Sequence, residues 1–214
     1  MGIYTLVFSV YLRIGIHNYA LFLLAGLIPW TWFAGALQQG TGSILDGRMY
    51  VGKTLFPTDV LVIVPVLSNF VNFLFSLPLL LIVIAFFHGD LGWPLLALPL
   101  IVACQMILTL GLLFFVATWN VFYRDFQQLM VYLVMFLFYL TPIFYPLSRV
   151  PEHFRGYVMA SPLALLAVSY QDIFYYNVSP PVANLVLLAF GSVIVLILAR
   201  LHFERHKESF GEYL

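Results

Sequence analysis

Ser43-Ile-Leu-Asp-Gly-Arg-Met-Tyr-Val-Gly-Lys-Thr-Leu-Phe-Pro57 separates two long apolar runs and admits two incompatible folds. Gly47, four residues, then Gly52-Lys53-Thr54 match the phosphate-binding pattern G-x-x-x-x-G-K-[ST]. That loop works where a buried parallel strand enters it and a helix leaves it, so that backbone amides converge on phosphates. Here the preceding residues, 19–37, read as a membrane span, and Pro57 stops a long helix from starting at Lys53. No part of the chain is polar enough to build the soluble α/β core that a nucleotide-binding domain needs. The stretch is therefore read as a short helix at the membrane surface. Ser43 and Asp46 have the S-x-x-D form of a capping box. Leu45, Met49 and Phe56 fall on one helical face, with Arg48 and Lys53 off that stripe. A short amphipathic helix between two spans is built to touch something on its own side of the membrane.

Composition agrees with the membrane reading. Of 214 residues, 63% are hydrophobic and 8% charged, where soluble domains carry about a quarter charged residues. With a mean hydropathy of +1.02, the chain cannot cover its own surface in water, so it is an integral membrane protein. The formal net charge is zero and no basic patch is present, which argues against a nucleic-acid partner. The single cysteine, Cys104, rules out an intrachain disulfide framework and reads as a small core residue.

Read outward from the opening stretch, the chain is one all-α transmembrane domain over residues 1–214. Residues 1–12 are apolar but short of the about 20 residues a span needs. They read as the end of a truncated first span or as a shallow segment. Five full spans are predicted, at 19–37, 58–87, 93–119, 126–145 and 182–201. The second carries Pro65 and Pro78, tolerated where neighbours satisfy the freed carbonyls. It also carries Ser68, Asn69, Asn72 and Ser76 at spacings of three and four, a polar stripe expected to face protein. The span at 93–119 has a tryptophan at each end, at interfacial depth. His88-Gly89-Asp90 reads as an external turn, Tyr123-Arg124-Asp125 as an internal one, and residues 202–214 as a charged tail. With alternating spans, one side holds Arg48, Lys53, Arg124, Arg200, Arg205 and Lys207, and the other Arg13, Arg149 and Arg155. The excess places the surface helix and the tail in the cytoplasm.

The connection at 146–181 is not a plain loop. Two apolar pieces, 151–160 and 161–176, each have proline where a first helical turn would start, and Ser161 sits where an N-cap would. Each is too short to span. Two short external helices that dip into the membrane and return fit, and re-entrant pieces survive only against protein or a wet cavity. They read as a gate over a pathway, with Phe154, Tyr157, Tyr170 and Phe174 as its aromatic residues.

Aromatic stripes follow helical spacing at Tyr19, Phe22, Trp30 and Phe33 and again at Tyr132, Phe136 and Tyr139. Lipid contact and helix packing explain them. So does the wall of a path for sugars, since aromatic faces bind the apolar faces of sugar rings and tyrosine adds a hydroxyl. His202 and His206 lie four apart without a third ligand, so a solvated tail is preferred over a metal site. His88 and Asp90 have no nearby nucleophile. Asp59, Arg124 and Asp125 sit at span ends, and ion-coupled carriers keep ionisable groups at mid-membrane. The energy source is therefore expected on another subunit.

Several motifs, in order and spacing across nearly the whole chain, carry a resemblance. They are Leu24-Ala-Gly-Leu-Ile-Pro-Trp30 with Phe33, Lys53-Thr-Leu-Phe-Pro57, Val121-Phe-Tyr-Arg-Asp125, Leu140-Thr-Pro-Ile-Phe-Tyr145 and Ser161-Pro162-Leu163, the last with serine where the family has asparagine. The chain resembles the membrane-spanning permeases of ABC-2 type exporters, in the branch that moves O-antigen or teichoic-acid polysaccharides. The resemblance implies six spans per subunit, a homodimeric channel in the bacterial inner membrane, and a separate ABC ATP-binding subunit that carries ATP and magnesium. This chain itself would bind no cofactor and catalyse no reaction. Residues 43–57 would be the coupling helix, meeting the ATPase through Arg48, Met49, Tyr50, Lys53 and Phe56. The two external helices would be the gate, and a lipid-linked glycan the cargo. Two alternatives stay open: an ABC-2 exporter of lipid or drug, and a membrane-embedded glycan- or lipid-modifying enzyme using His88, Asp90 or His153.

Overall fold

A run of 23 residues without a charge, Tyr19–Thr41, forms helix α1, against which the helices Asp59–His88, Leu98–Phe122, Phe126–Leu140 and Pro162–Gln171 pack. The computed structural model describes residues 18–51, 57–88 and 92–213, with the side chains of Tyr50, Val51, His88 and Glu212 outside that description. Two single helical turns follow α1: α2, Ser43–Asp46, and α3, Arg48–Val51. Helix α4, Asp59–His88, is the longest, at 30 residues. A 3-10 turn over Trp93–Ala97 leads into α5, Leu98–Phe122. Helix α6 is Phe126–Leu140, α7 is Glu152–Met159, and α8 is Pro162–Gln171, which a π-helical turn continues through Tyr176. Helix α9, Val182–Lys207, and the short α10, Phe210–Tyr213, close the chain. No strand occurs among the described residues, so the setting a phosphate-binding loop requires is missing around Gly47.

Four of these helices are long and apolar enough to cross a membrane, or five if the bent pair α7 and α8 counts as one. The expected crossing at 126–145 is shorter than predicted. Helix α6 has 15 residues, about 22 Å of rise against a hydrocarbon core of about 30 Å. It stops because Thr141 precedes Pro142, and a residue before proline is pushed out of the helical region. The chain then folds in, burying Thr141, Pro142, Ile143 and Phe144 against α1. The α7–α8 pair bends by 103°, with no buried residue in α7 and seven in α8. The predicted Ser161 N-cap position holds, but its hydroxyl makes no capping bond.

Helix α1 carries the core. Leu21, Ala25, Trp32, Phe33, Ala36 and Leu37 are buried with residues of α4, α5 and α8. Helix α5 runs against α9 at very close range, because Gly111 presents no side chain to the α9 backbone. A Cβ there would lie 2.8 Å from the Leu196 nitrogen and 2.9 Å from its Cα. The predicted charged tail is likewise packed structure. Phe203 and Phe210 are fully buried and meet at 5.5 Å between ring centroids.

The backbone contact at Gly111 sets an expected outcome for thermal unfolding of the detergent-purified protein. Gly111→Ala forces α5 and α9 apart and should destabilise by about 1–3 kcal/mol. Gly156→Ala on α7 meets nothing within 4 Å and should be neutral or stabilising by up to about 1 kcal/mol.

Candidate functional site

The stretch that decided the fold sits at one end of the bundle, beside the turn between α5 and α6. Gly42 packs on Gln127 and Gly47 on Leu61. Leu45, Asp46, Arg48 and Arg124 line a cleft of about 380 Å³. The single amphipathic helix expected here is broken at Gly47 into α2 and α3, each one turn long. The Ser43–Asp46 capping box does not form: Gly42 holds the N-cap position, and the Ser43 hydroxyl is buried without a partner. Ile44 is the residue of this stretch that enters the core. Met49 is 78% exposed and Arg48 is exposed. Lys53 and Phe56 lie outside the described residues, as does the side chain of Tyr50.

Sequence reasoning missed an ion cluster on the same end. Asp59, the first residue of α4, accepts from Arg200 Nη1 at 2.7 Å and from Lys207 Nζ at 2.9 Å. Arg200 also pairs with Glu204 one turn on, at 2.9 Å, and its guanidinium lies 4.9 Å from the centre of the Phe114 ring. The Asp59 side chain is 20% exposed. In a chain this poor in charge, two pairs joining α4 to the end of α9, with a third inside α9, fix that end mechanically. Asp59 opens a span and its basic partners lie 141 and 148 positions further on, so no local spacing would have revealed the cluster.

The two aromatic stripes have different fates. Tyr19, Phe22 and Phe33 are buried, and Trp30 is half-buried. The Tyr19 hydroxyl donates to the Phe144 carbonyl at 3.0 Å. Phe22 meets Tyr175 edge-on at 5.3 Å, and Trp30 tilts on Phe33 and Phe138 at 5.2 and 5.4 Å. In this conformation the first stripe is internal packing, and it offers no free wall. Tyr132, Phe136 and Tyr139 do the opposite, standing on the outer face of α6. Helix α6 turns only Met130 and Val134 fully inward.

The residues expected at a gate divide in the same way. Tyr170 and Phe174 are fully buried and stacked at 5.8 Å, with Tyr170 also edge-on to Phe73. They anchor the bent pair to the core and do not face an opening. Phe154 and Tyr157 are exposed on α7. Together with Leu137, Leu140 and Ala164 they line an apolar cleft of about 400 Å³ between α7 and the end of α6. His153 lies on the same exposed helix against the Phe154 ring. Asp90 and the side chain of His88 are outside the described residues.

His202 and His206 are not a solvated tail. They lie along α5, His202 stacked on Trp119 at 6.0 Å and His206 edge-on to Phe122 at 5.6 Å, and line a cleft with Tyr213. Among the described residues no group of three His, Cys, Asp or Glu side chains could hold a metal.

No protein-family model matches the chain. It is 36% identical over 214 residues to the O-antigen export system permease protein RfbA of Myxococcus xanthus, an alignment that covers 99% of this chain and 82% of that one. It is 32% identical over 215 residues to a protein of the same name from Klebsiella pneumoniae, with the same coverage of 99% and 82%. A second Klebsiella pneumoniae protein of that name is 34% identical over 179 residues.

The Asp59 cluster is partly buried, between exposed pairs worth under about 1 kcal/mol and buried ones whose disruption costs about 3–5. Asp59→Asn should therefore destabilise by about 1–2 kcal/mol and loosen the end of α9. Limited trypsin digestion in detergent is expected to cut after Arg205 and Lys207 faster in the variant than in the wild type.

Proposed function

The chain belongs to the O-antigen export system permeases of the ABC-2 type, and from that premise we propose how it works. It is the membrane half of an ATP-driven exporter in the bacterial cytoplasmic membrane, and its cargo is a lipid-linked polysaccharide. Two copies enclose the path, and a separate ABC ATP-binding subunit supplies the energy. The observation that carries this reading is the exposed Arg48–Met49 corner. It stands at the end of the bundle where Arg124 and the Asp59 cluster also gather.

A soluble ATPase docking on that corner presses on residues that belong to both neighbouring helices. Gly42 ends α1 and packs on the start of α6, while Gly47 packs on Leu61 of α4. A displacement of α2 and α3 therefore reaches three long helices at once. Asp59 passes it further, to α9, through Arg200 and Lys207. Rigid-body shifts of this kind are how packed cores change state, since they do not deform continuously. Arg48 and Met49, with Tyr50, Lys53 and Phe56, form the docking surface and bind no phosphate, so this chain needs no cofactor of its own. On the far side, Phe154 and Tyr157 form the movable part of the gate, and Tyr170 and Phe174 its fixed root.

The cargo reading draws on α6. Its free face offers two tyrosine hydroxyls, at Tyr132 and Tyr139, around Phe136. A polyhydroxylated chain uses both the rings and the hydroxyls, whereas a purely apolar lipid or drug would leave the hydroxyls unpaired. An embedded glycan-modifying enzyme would need convergent polar groups, whereas on α7 Arg155 is turned to Glu152 and to the Ser148 and Val150 carbonyls and His153 lies against the Phe154 ring.

Co-purification in detergent with a candidate ATPase tests the docking surface. Wild type should bring the ATPase down. The variant Arg48→Glu with Met49→Glu should lose about tenfold or more of it, since reversing a charge beside an exposed apolar anchor removes interface energy of a few kcal/mol. Nucleotide binding by the ATPase alone should not change. Nucleotide binding by the permease alone, lost on Lys53→Ala, would overturn the reading.

A further inference from the structure

The expected polar stripe on the second span has two faces in the structure, and no described residue stands in front of one of them. Asn69 is buried and accounted for. Its Nδ2 donates to Gln39 Oε1 and to the Pro65 carbonyl, each at 2.9 Å, and its carboxamide occupies the space that a Cβ on Gly35 would need. Ser68 and Asn72 are exposed instead. Neither side chain has a hydrogen-bond partner among the described residues. Opposite them, α1 exposes Thr31, Gln38 and Gln39 on the face that also bears Gly35. The two helices are antiparallel, so these residues form one continuous polar track. It runs from the coupling end, at Gln38 and Gln39, to Asn72 and Ser76, which with Thr31 line a cleft of about 200 Å³ walled by Trp32 and Phe73.

Depth makes the track informative. Asn72 lies about 20 Å along α4 from Asp59, well inside the hydrocarbon thickness. A free amide facing lipid at that depth is unfavourable, because nothing there can accept or donate. Something polar therefore meets it. A tightly packed helix from another copy is disfavoured by the neighbours on α4: Leu74, Phe75 and Leu79 are all exposed and large, whereas close helix contacts in membranes use small residues. The track contains no charged side chain, so it suits neutral hydroxyls and not a phosphate anchor. The cleft is smaller than the about 300–1,000 Å³ of pockets that hold a ligand. It fits passing contact with successive units of a moving chain, where binding must be weak enough to release.

We propose that the polar track between α1 and α4, centred on Asn72, is a water-facing slide for the hydroxyl groups of the glycan. This inference rests on the export reading above and adds to the α6 face a second set of residues that touch the cargo, outside the aromatic stripes. Cysteine labelling in inside-out membranes holding the permease with its ATPase tests it. The one native cysteine, Cys104, is buried, so background is low. Asn72→Cys and Ser76→Cys should react with a membrane-impermeant methanethiosulfonate about tenfold faster than Phe75→Cys, because a thiol in hydrocarbon does not ionise. Asn72→Leu should slow glycan export about two- to tenfold, the worth of one hydrogen bond, with unchanged co-purification of the ATPase. Inert Asn72→Cys and Ser76→Cys would overturn the proposal, as would a disulfide between two copies at either position, since both mean the face is covered. If wild type itself restores no polysaccharide export to cells lacking their own permease, the export reading fails and this inference falls with it. Export by wild type with inert cysteines removes this inference alone.

Discussion

Every buried backbone carbonyl in a membrane protein must find its partner inside the protein, and the architecture turns on how three prolines are served. Gln105 of α5 donates to the Pro29 carbonyl at 2.8 Å, Asn69 of α4 to that of Pro65 at 2.9 Å, and Gln171 of α8 to that of Pro142 at 2.8 Å. Within a helix, proline frees the carbonyl four residues before it and not its own, so these amides add a bond at a bend; where the amide comes from another element, the bond ties the two together. The Gln105 bond joins α5 to α1, and the Gln171 bond joins α8 to the inward turn after α6. Asn69 spends its second contact on Gln39 and so joins α4 to α1. Trp32 of α1 adds a further bond, to the Val66 carbonyl at 3.2 Å. Helix α1 is central because so many of these obligations meet on it.

The same constraint separates a rigid interior from a free exterior. Helices α1, α5 and α8 carry most of the fully buried residues, while α4, α6 and α9 leave long apolar faces open. An open face of valine, leucine and phenylalanine asks nothing of lipid, so α4 and α9 need no further partner on those sides. Tyr132, Tyr139 and Asn72 are different, because each places a polar group where hydrocarbon would leave it unpaired. The surfaces that must meet water or cargo are thus marked by polar atoms, not by ring count.

Hydropathy made the long helices legible: the starts of α1, α4 and α9 fall at or within a residue of the apolar boundaries at 19, 58 and 182. The bend between α7 and α8 was legible too, from Pro151 and Pro162. Helix α6 was overextended although Thr141-Pro142 was in plain view, because an apolar run continues through Tyr145 and hydropathy ignores backbone geometry. The aromatic stripes show the limit of periodicity. Spacing puts Tyr19, Phe22, Trp30 and Phe33 on related faces but cannot say whether that face meets the inward turn, lipid or a lumen. The Asp59 cluster joins residues 141 and 148 positions apart, which no single-sequence pattern carries. The tail was misread for charge alone, although Phe203 and Phe210, seven apart, mark a packed helical face.

Charge placement ties the Arg48–Met49 corner to the end of the chain's last long helix. Asp59 opens α4 a few residues after that corner, and it holds the end of α9 through Arg200 and Lys207. Several groups at this end are buried without partners: the Ser43 hydroxyl, the Thr58 hydroxyl and the Asn120 amide. Gln105 Oε1 and the Tyr170 hydroxyl are buried without partners elsewhere in the bundle, while Tyr19 and Gln171 satisfy the carbonyls of the inward turn. Unpaired buried groups cost free energy that a shifted arrangement can recover by pairing them. Ser43, Thr58 and Asn120 stand at the end on which an ATPase would push in the proposed reading, where the Asp59 pairs resist a shift and these groups would be relieved by one.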